Sequence, residues 1–132
     1  MVLEIQTADG EPEETPDVLG KKATKPEWRT AVALVELGWS FDFQVTFFGG
    51  RTLRGGQIVD FVVDTIPATP LFVDGRYVHG GAGKTEKDKL LRETLVNLTG
   101  GRLRHPVVFY DDELATLEMA ENTVRQEFGR RN

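Results

Sequence analysis

A chain of 132 residues with 39% apolar and 28% charged residues has the size and balance of one globular domain. It has no cysteine and only two histidines, which excludes disulfides, thiolate zinc sites and His-rich metal centres. No stretch approaches the roughly 18 apolar residues of a membrane span, and Met-Val-Leu-Glu-Ile-Gln at the start has neither the basic region nor the apolar core of a cleaved signal. The expectation is a cytoplasmic protein with no membrane association, in which any metal is held through oxygen as a hard cation.

The net charge of −5 is unevenly spread. Residues 1–20 carry six acids and no Lys or Arg, residues 21–110 carry thirteen Lys/Arg against nine acids, and residues 111–132 carry three Arg against six acids. A mildly basic middle between acidic ends permits contact with phosphate without requiring it. Residues 1–23, rich in Glu and Pro and without apolar periodicity, read as an acidic flexible tail that cannot bury enough surface to order itself, apart from a short strand over 2–5. Residues 24–132 read as a single domain.

In chain order, the first helix is predicted from Pro26 to Leu37, with Trp28, Ala31, Val32 and Val35 on one face, Thr24 as N-cap and Gly38 as stop. Phe41, Phe43, Val45 and Phe47 alternate with polar residues, the period of a strand. Gly49-Gly50 and Gly55-Gly56 punctuate the connection to a second strand, Ile58–Val63, with Val59, Phe61 and Val63 on one face and Asp60 on the other. A third strand begins at Leu71–Val73, its apolar run pointing to burial on both sides. Thr85–Leu98 reads as a helix with Leu91, Leu95 and Leu98 on its core face, ended by Gly100-Gly101. His105–Tyr110 is a fourth strand. Asp112–Phe128 is a closing helix with Leu114, Leu117, Val124 and Phe128 aligned. The order α-β-β-β-α-β-α predicts an α/β fold, a mixed sheet of about four strands flanked by helices.

The segment from Gly56 to His79 carries the chemistry. It places one acid, Asp60, mid-strand and another, Asp74, at the end of the next strand. Neighbouring strands lie about 4.8 Å apart, so two such acids can converge on one cation. An acid in an otherwise apolar strand needs a partner or a metal, because an unpaired buried charge costs several kcal/mol. Magnesium held there polarises a phosphodiester and lowers the pKa of a bound water.

These residues resemble the PD-(D/E)xK nuclease superfamily, in which a strand acid is followed by a second strand with a further acid and a lysine. The run Leu71-Phe72-Val73-Asp74-Gly75-Arg76-Tyr77-Val78-His79 is similar to the very-short-patch-repair endonuclease branch and its small relatives, whose second strand ends in an apolar run, then Gly, an aromatic and His. Glu27 on the first helix, Gln44 on the first strand and the charged stretch Lys84–Arg92 fall in matching order, so the resemblance spans about residues 24–118. It implies a restriction-endonuclease-like core and a metal-dependent DNA endonuclease, structure-directed because so small a chain has little room for a separate reading domain. Mg2+, with Mn2+ as substitute, is the implied cofactor, DNA the partner, and a homodimer or partner protein is compatible with it.

Two departures bear on the site. Val59 replaces the proline before the first acid, and the second motif aligns in two ways. In one, Phe72 takes the acid position and Asp74 the lysine position, and the metal uses Asp60 and the Val73 carbonyl with His79 near the scissile phosphate. In the other, Asp74-Gly75-Arg76 stands in for Glu-x-Lys, and Arg76 holds phosphate but cannot act as a base. The first is preferred because Gly75 and His79 then fall in place. The implied catalytic set is Asp60, Asp74, His79 and Glu27, the metal set is Asp60, Asp74 and Val73, and substrate contacts fall to Gln44, Arg51, Arg54, Arg76, Tyr77 and Lys84.

Each residue has a simpler reading beside the functional one. Asp74-Gly75 is a common turn pair, and His79 in a glycine-rich loop can be an ordinary exposed histidine. Thr24-Lys25-Pro26-Glu27 fits a capping box, as does Thr85-Glu86-Lys87-Asp88. Gln44 can sit on a solvated strand face, and Lys84, Lys87, Lys89 and Arg92 on a solvated helix face. Gly80-Gly81-Ala82-Gly83-Lys84-Thr85 imitates a phosphate-binding loop but has Val78 where the Walker pattern needs glycine. Two rivals follow: a nuclease-like fold that only binds DNA as a subunit of a larger assembly, and an unrelated α/β interaction domain with Asp60 paired to an arginine.

Overall fold

The structure, a computed structural model, describes residues 11–47, 57–75, 92–97 and 99–131. The expected strand over 2–5, the paired glycines at 49–50 and 55–56, and the second helix up to Leu91 lie outside the described residues. The chain forms two compact units, Met1–Ser40 with Glu113–Asn132 and Phe41–Asp112, where the sequence reading draws one domain over 24–132.

In the first unit, helix α1 spans Lys25–Glu36. Thr24 caps it as expected: its hydroxyl accepts from Glu27 N, and the Glu27 carboxylate accepts from Thr24 N at 2.8 Å. Trp28 and every residue from Thr30 to Leu34 are buried, a wider surface than the expected stripe, and Val35 is half-buried. Gly38 follows the C-cap Leu37 at φ +87°, and a Cβ there would meet the Arg131 carbonyl oxygen at 2.7 Å. Both conformation and space therefore require glycine.

The closing helix starts later than its periodicity predicts. A 3-10 turn over Asp111–Leu114 comes first, and α3 begins at Leu117 and runs to Phe128. The reason is local. The Thr116 hydroxyl accepts from Met119 N at 3.0 Å, so this threonine serves as N-cap instead of a helical residue. Helix α3 packs against α1, and Leu114, Ala120 and Val124 are buried. The C-terminal segment closes on the end of α1: Arg131 N–H donates to the Leu37 carbonyl at 2.8 Å, and Trp39 Nε1–H donates to the Gly129 carbonyl at 2.8 Å.

Composition alone marks residues 1–23 as a tail, yet its described part makes specific contacts. Val18 is buried and pairs through its backbone with Lys21. Glu11 forms a two-pronged ion pair with Arg29, whose Nη1 also donates to the Leu114 carbonyl at 2.8 Å. One buried valine and one charge-assisted pair supply what an apolar period would otherwise provide.

The second unit is built on a four-stranded mixed sheet in the order β1-β2-β3-β4, comprising Phe41–Phe47, Gln57–Val63, Thr69–Asp74 and Val107–Tyr110. The first three strands form an antiparallel meander, and β4 runs parallel to β3. The helical residues 92–97, here α2, lie in the crossover between β3 and β4, as a parallel pair requires. Phe41, Phe43, Val59, Phe61, Val63 and Leu71 are buried, and the Phe61 ring lies 5.3 Å from Phe41 and 4.9 Å from Phe43 between centroids. Leu95 of α2 joins Phe72 and Leu103 in a second buried cluster with Val62 and Val108 against it. The α/β class and the order of elements match the sequence reading. Among the described residues no helix is long and apolar enough to cross a membrane.

Candidate functional site

Strand alternation places Asp60 between half-buried Ile58 and Val62, away from fully buried Val59, Phe61 and Val63. The strands on either side of Asp60 both depart from regular geometry. Toward β3, the register Val63↔Thr69, Val62↔Pro70, Phe61↔Leu71 stops at Phe61, although β2 continues back to Gln57 and β3 forward to Asp74. At this opening the Asp60 carboxylate accepts the Val73 N–H through Oδ2 at 2.8 Å. A side-chain oxygen thus takes the place of a ladder carbonyl, which satisfies a backbone donor that the parted strands would leave exposed.

Toward β1, the register runs Phe43↔Phe61 and then Val45↔Val59, which brings Gln44 across from Asp60. Gln44 has φ +52°, the left-handed region, in the middle of a strand. Such a conformation costs a non-glycine residue about 1–3 kcal/mol and persists only where its surroundings impose it. The sequence reading placed Gln44 on this strand as a substrate contact. Its left-handed backbone has no signal in the sequence, since strands give up regular dihedrals for tertiary reasons.

Asp74 is the last residue of β3 and shares a face with Phe72, two residues before it. Arg92 of α2 reaches both: its Nη2 donates to Asp74 Oδ2 at 2.7 Å, and its guanidinium carbon lies 4.2 Å from the centre of the Phe72 ring. Both side chains of the pair are largely buried, with 15% of Arg92 and 24% of Asp74 exposed. Site reasoning from sequence gives Arg92, with Lys84, Lys87 and Lys89, a phosphate contact or, by default, a place on a solvated helix face. The signal that would have singled it out is its spacing, three residues before buried Leu95 and hence on the same helix face.

Glu27 belongs to the first unit, and capping Thr24 N is the role the structure shows for it. His105 is exposed, with its Nδ1 3.9 Å from the carboxylate of half-buried Glu93. Arg51, Arg54, Arg76, Tyr77, His79, Lys84 and Asp88 lie outside the described residues.

Among the described residues no group of three or more His, Cys, Asp or Glu side chains is placed to hold a metal. The donors that fit one are the Asp60 carboxylate and the Val73 carbonyl. In a strand the N–H and C=O of one residue face the same neighbour, and Val73's N–H meets Asp60. Both are hard oxygen donors, a set that suits magnesium, which keeps several of its waters. Asp74 is held by Arg92 through Oδ2. No family model, curated protein or solved structure matches the chain.

Proposed function

We propose that this chain is a metal-dependent DNA endonuclease with a restriction-endonuclease-like core of the PD-(D/E)xK type, acting on DNA by its structure through nicking or the processing of junctions and mismatches. The observation that carries the reading is Asp60, a carboxylate at the point where β2 and β3 part, fixed by the Val73 N–H. The resemblance around Asp60 and Leu71–His79 and the element order support the same reading. Magnesium or manganese, when bound, supplies charge stabilisation of the phosphodiester and a more acidic water. The chain's own part is to present the Asp60 carboxylate and the Val73 carbonyl in fixed orientation. His79, by the resemblance, exchanges a proton with the attacking water or leaving oxygen. Gln44, Arg51, Arg54, Arg76, Tyr77 and Lys84 position the DNA, and phosphate contacts of this kind orient without reading sequence.

The test is nicking of supercoiled plasmid and branched DNA with magnesium or manganese, comparing wild type with Asp60→Asn. The asparagine keeps an acceptor for Val73 N–H and removes the charge, so the expected result is a folded variant with at least about a hundredfold slower cleavage, a barrier increase of about 3 kcal/mol. Wild-type protein that cuts nothing, or a variant that cuts equally well, defeats the reading.

One observation favours a second reading. Asp74 is held by an arginine, so the second acid is neutralised within the protein. A nuclease-like subunit that binds DNA without cutting has no need of that acid. Salt-sensitive, magnesium-independent DNA affinity without cleavage is the outcome that selects it.

A further inference from the structure

We infer that the turn at Ile66–Pro67 and the exposed arginines beside it, Arg102 and Arg104, form a second DNA contact on the sheet unit, with the arginines on phosphates and the apolar tip against deoxyribose; the inference rests on the nucleic-acid reading of the chain.

Backbone contacts bring the two segments together. Ala68 bridges to Leu103 in parallel, and Arg104 N–H donates to the Ala68 carbonyl at 2.7 Å. Leu103 is buried, while Arg102 and Arg104 on either side of it are exposed. Alternation along an extended segment sends both arginines to the side away from Leu103. Among the described residues Arg104 makes no side-chain hydrogen bond or ion pair, and Arg102 donates through Nε to the Thr99 carbonyl at 3.2 Å. Glu93 stands 3.9 Å from His105, so the positive charge here rests on the two arginines.

The turn itself is held in place by its own hydrogen bonds. Thr65 N–H donates to the Val63 carbonyl at 2.8 Å, the Thr65 hydroxyl donates to the Pro67 carbonyl at 2.7 Å, and it accepts from the Thr69 hydroxyl at 2.5 Å. At the tip Ile66 is 94% exposed, more than twice the 41% of Leu19 and Met119. A single exposed apolar side chain needs no explanation. One held in an ordered turn beside two exposed arginines does, because such a tip loses little freedom on binding. Cationic forks next to an apolar cap match a surface that alternates anionic and apolar groups, as phosphate and deoxyribose do along a strand. Proteins that follow the minor groove combine Arg with Ile or Pro in this way. Asp64 stands exposed at the foot of the turn and opposes an anion there, which confines the contact to the tip and the arginines. Val73 lies five residues on from Ala68, about 17 Å along an extended chain, or about five base pairs of duplex. A duplex laid along β3 from Asp60 reaches this surface.

The experiment is fluorescence anisotropy of a labelled DNA duplex in EDTA, across a salt series, with wild type, Arg104→Gln and Ile66→Ser, and thermal melts of each protein. Both residues are exposed, so the melts should coincide. Arg104→Gln is expected to weaken binding about tenfold and to flatten the slope of log affinity against log salt by about one, as the loss of one phosphate contact does. Ile66→Ser should weaken binding about tenfold with the slope unchanged, because it removes apolar contact and no charge. Wild-type affinity in either variant overturns that residue's part in the contact. Wild-type affinity in both overturns the proposal and leaves the turn to a protein partner or to solvent. Nicking assays on the same preparations separate this surface from the catalytic reading. The expected binding pattern without any nicking retains the contact and removes the enzyme. Nicking with binding indifferent to Arg104 and Ile66 does the reverse, and wild type that binds no DNA removes both.

Discussion

The two units handle their polar groups in opposite ways. In the first, polar side chains complete regular structure: Glu27 and Thr24 cap α1, Thr116 caps α3, and Glu11 with Arg29 ties residue 11 to the helix. Each sits at an element's end or on its surface, where helices leave donors unsatisfied. In the second, polar side chains stand where regular structure stops. Asp60 occupies a break in the β2–β3 ladder, Gln44 opposite it is left-handed within a strand, and Asp74 closes β3 against Arg92. Departures concentrated around one acid are the usual mark of a site whose geometry is held at a cost to the fold. The same residue types thus serve folding in one unit and gather at a candidate site in the other.

The largest effect that can be set against this comparison lies in the sheet's apolar face. Phe61→Ala should cost about 3–5 kcal/mol in urea unfolding, because the ring touches Phe41 and Phe43 and is fully buried. A much smaller loss would mean that the sheet does not depend on this face. Next comes Asp60. Asp60→Ala leaves the Val73 N–H without its acceptor and should cost about 1–3 kcal/mol, whereas Asp60→Asn should cost about 1 kcal/mol or less. Equal costs for the two would show that the contact to Val73 is not what holds the opening.

Gln44 gives a test of sign. Valine favours a regular strand, so ordinary strand propensity predicts that Gln44→Val stabilises. The left-handed backbone predicts a loss of about 1–2 kcal/mol instead, and Gln44→Gly should fare better than valine. Thermal melts of the two variants decide between them.

The first unit offers smaller effects. Arg29 holds the Glu11 carboxyl below its ordinary value through their hydrogen bond and charge attraction, against the opposing effect of burial. The unfolded chain therefore binds this proton at a higher pH than the folded one, and stability falls as pH drops through the folded value. Glu11→Gln should cost about 1 kcal/mol near neutral pH, and the difference from wild type should shrink once pH falls below the ordinary glutamate value and vanish below the lowered folded one. A pH-independent difference would remove the ion pair as its cause. Least of all, Glu27→Gln keeps the acceptor that a capping box needs and should shift stability by under about 0.5 kcal/mol. Cleavage that collapses in this variant would give Glu27 a part in the reaction beyond the cap.

Alternation and periodicity made much of this readable in advance. Helix α1 falls within a residue of its expected span, β1 and β2 follow from alternating Phe and Val, and the capping box at Thr24–Glu27 is as its spacing implied. The late start of α3 was hidden because its apolar spacing continues through Leu114, and only the Thr116 cap interrupts it. Asp60 stood out as an acid among Ile, Val and Phe. Its engagement by a backbone N–H thirteen residues on, the Gln44 conformation and the Arg92 partner were not readable, because each depends on register between strands or on a helix crossing a sheet.

The first unit is discontinuous in the chain, assembled from residues up to 40 and from 113 onward. During synthesis its opening helix leaves the ribosome well before α3, while every residue of the sheet unit is already out. At about 5–20 residues per second this leaves α1 without its partner for several seconds. Helix α1, which packs against α3, has no such partner in that interval. The nascent chain therefore carries α1 without the helix it packs against until Leu117–Phe128 has been made.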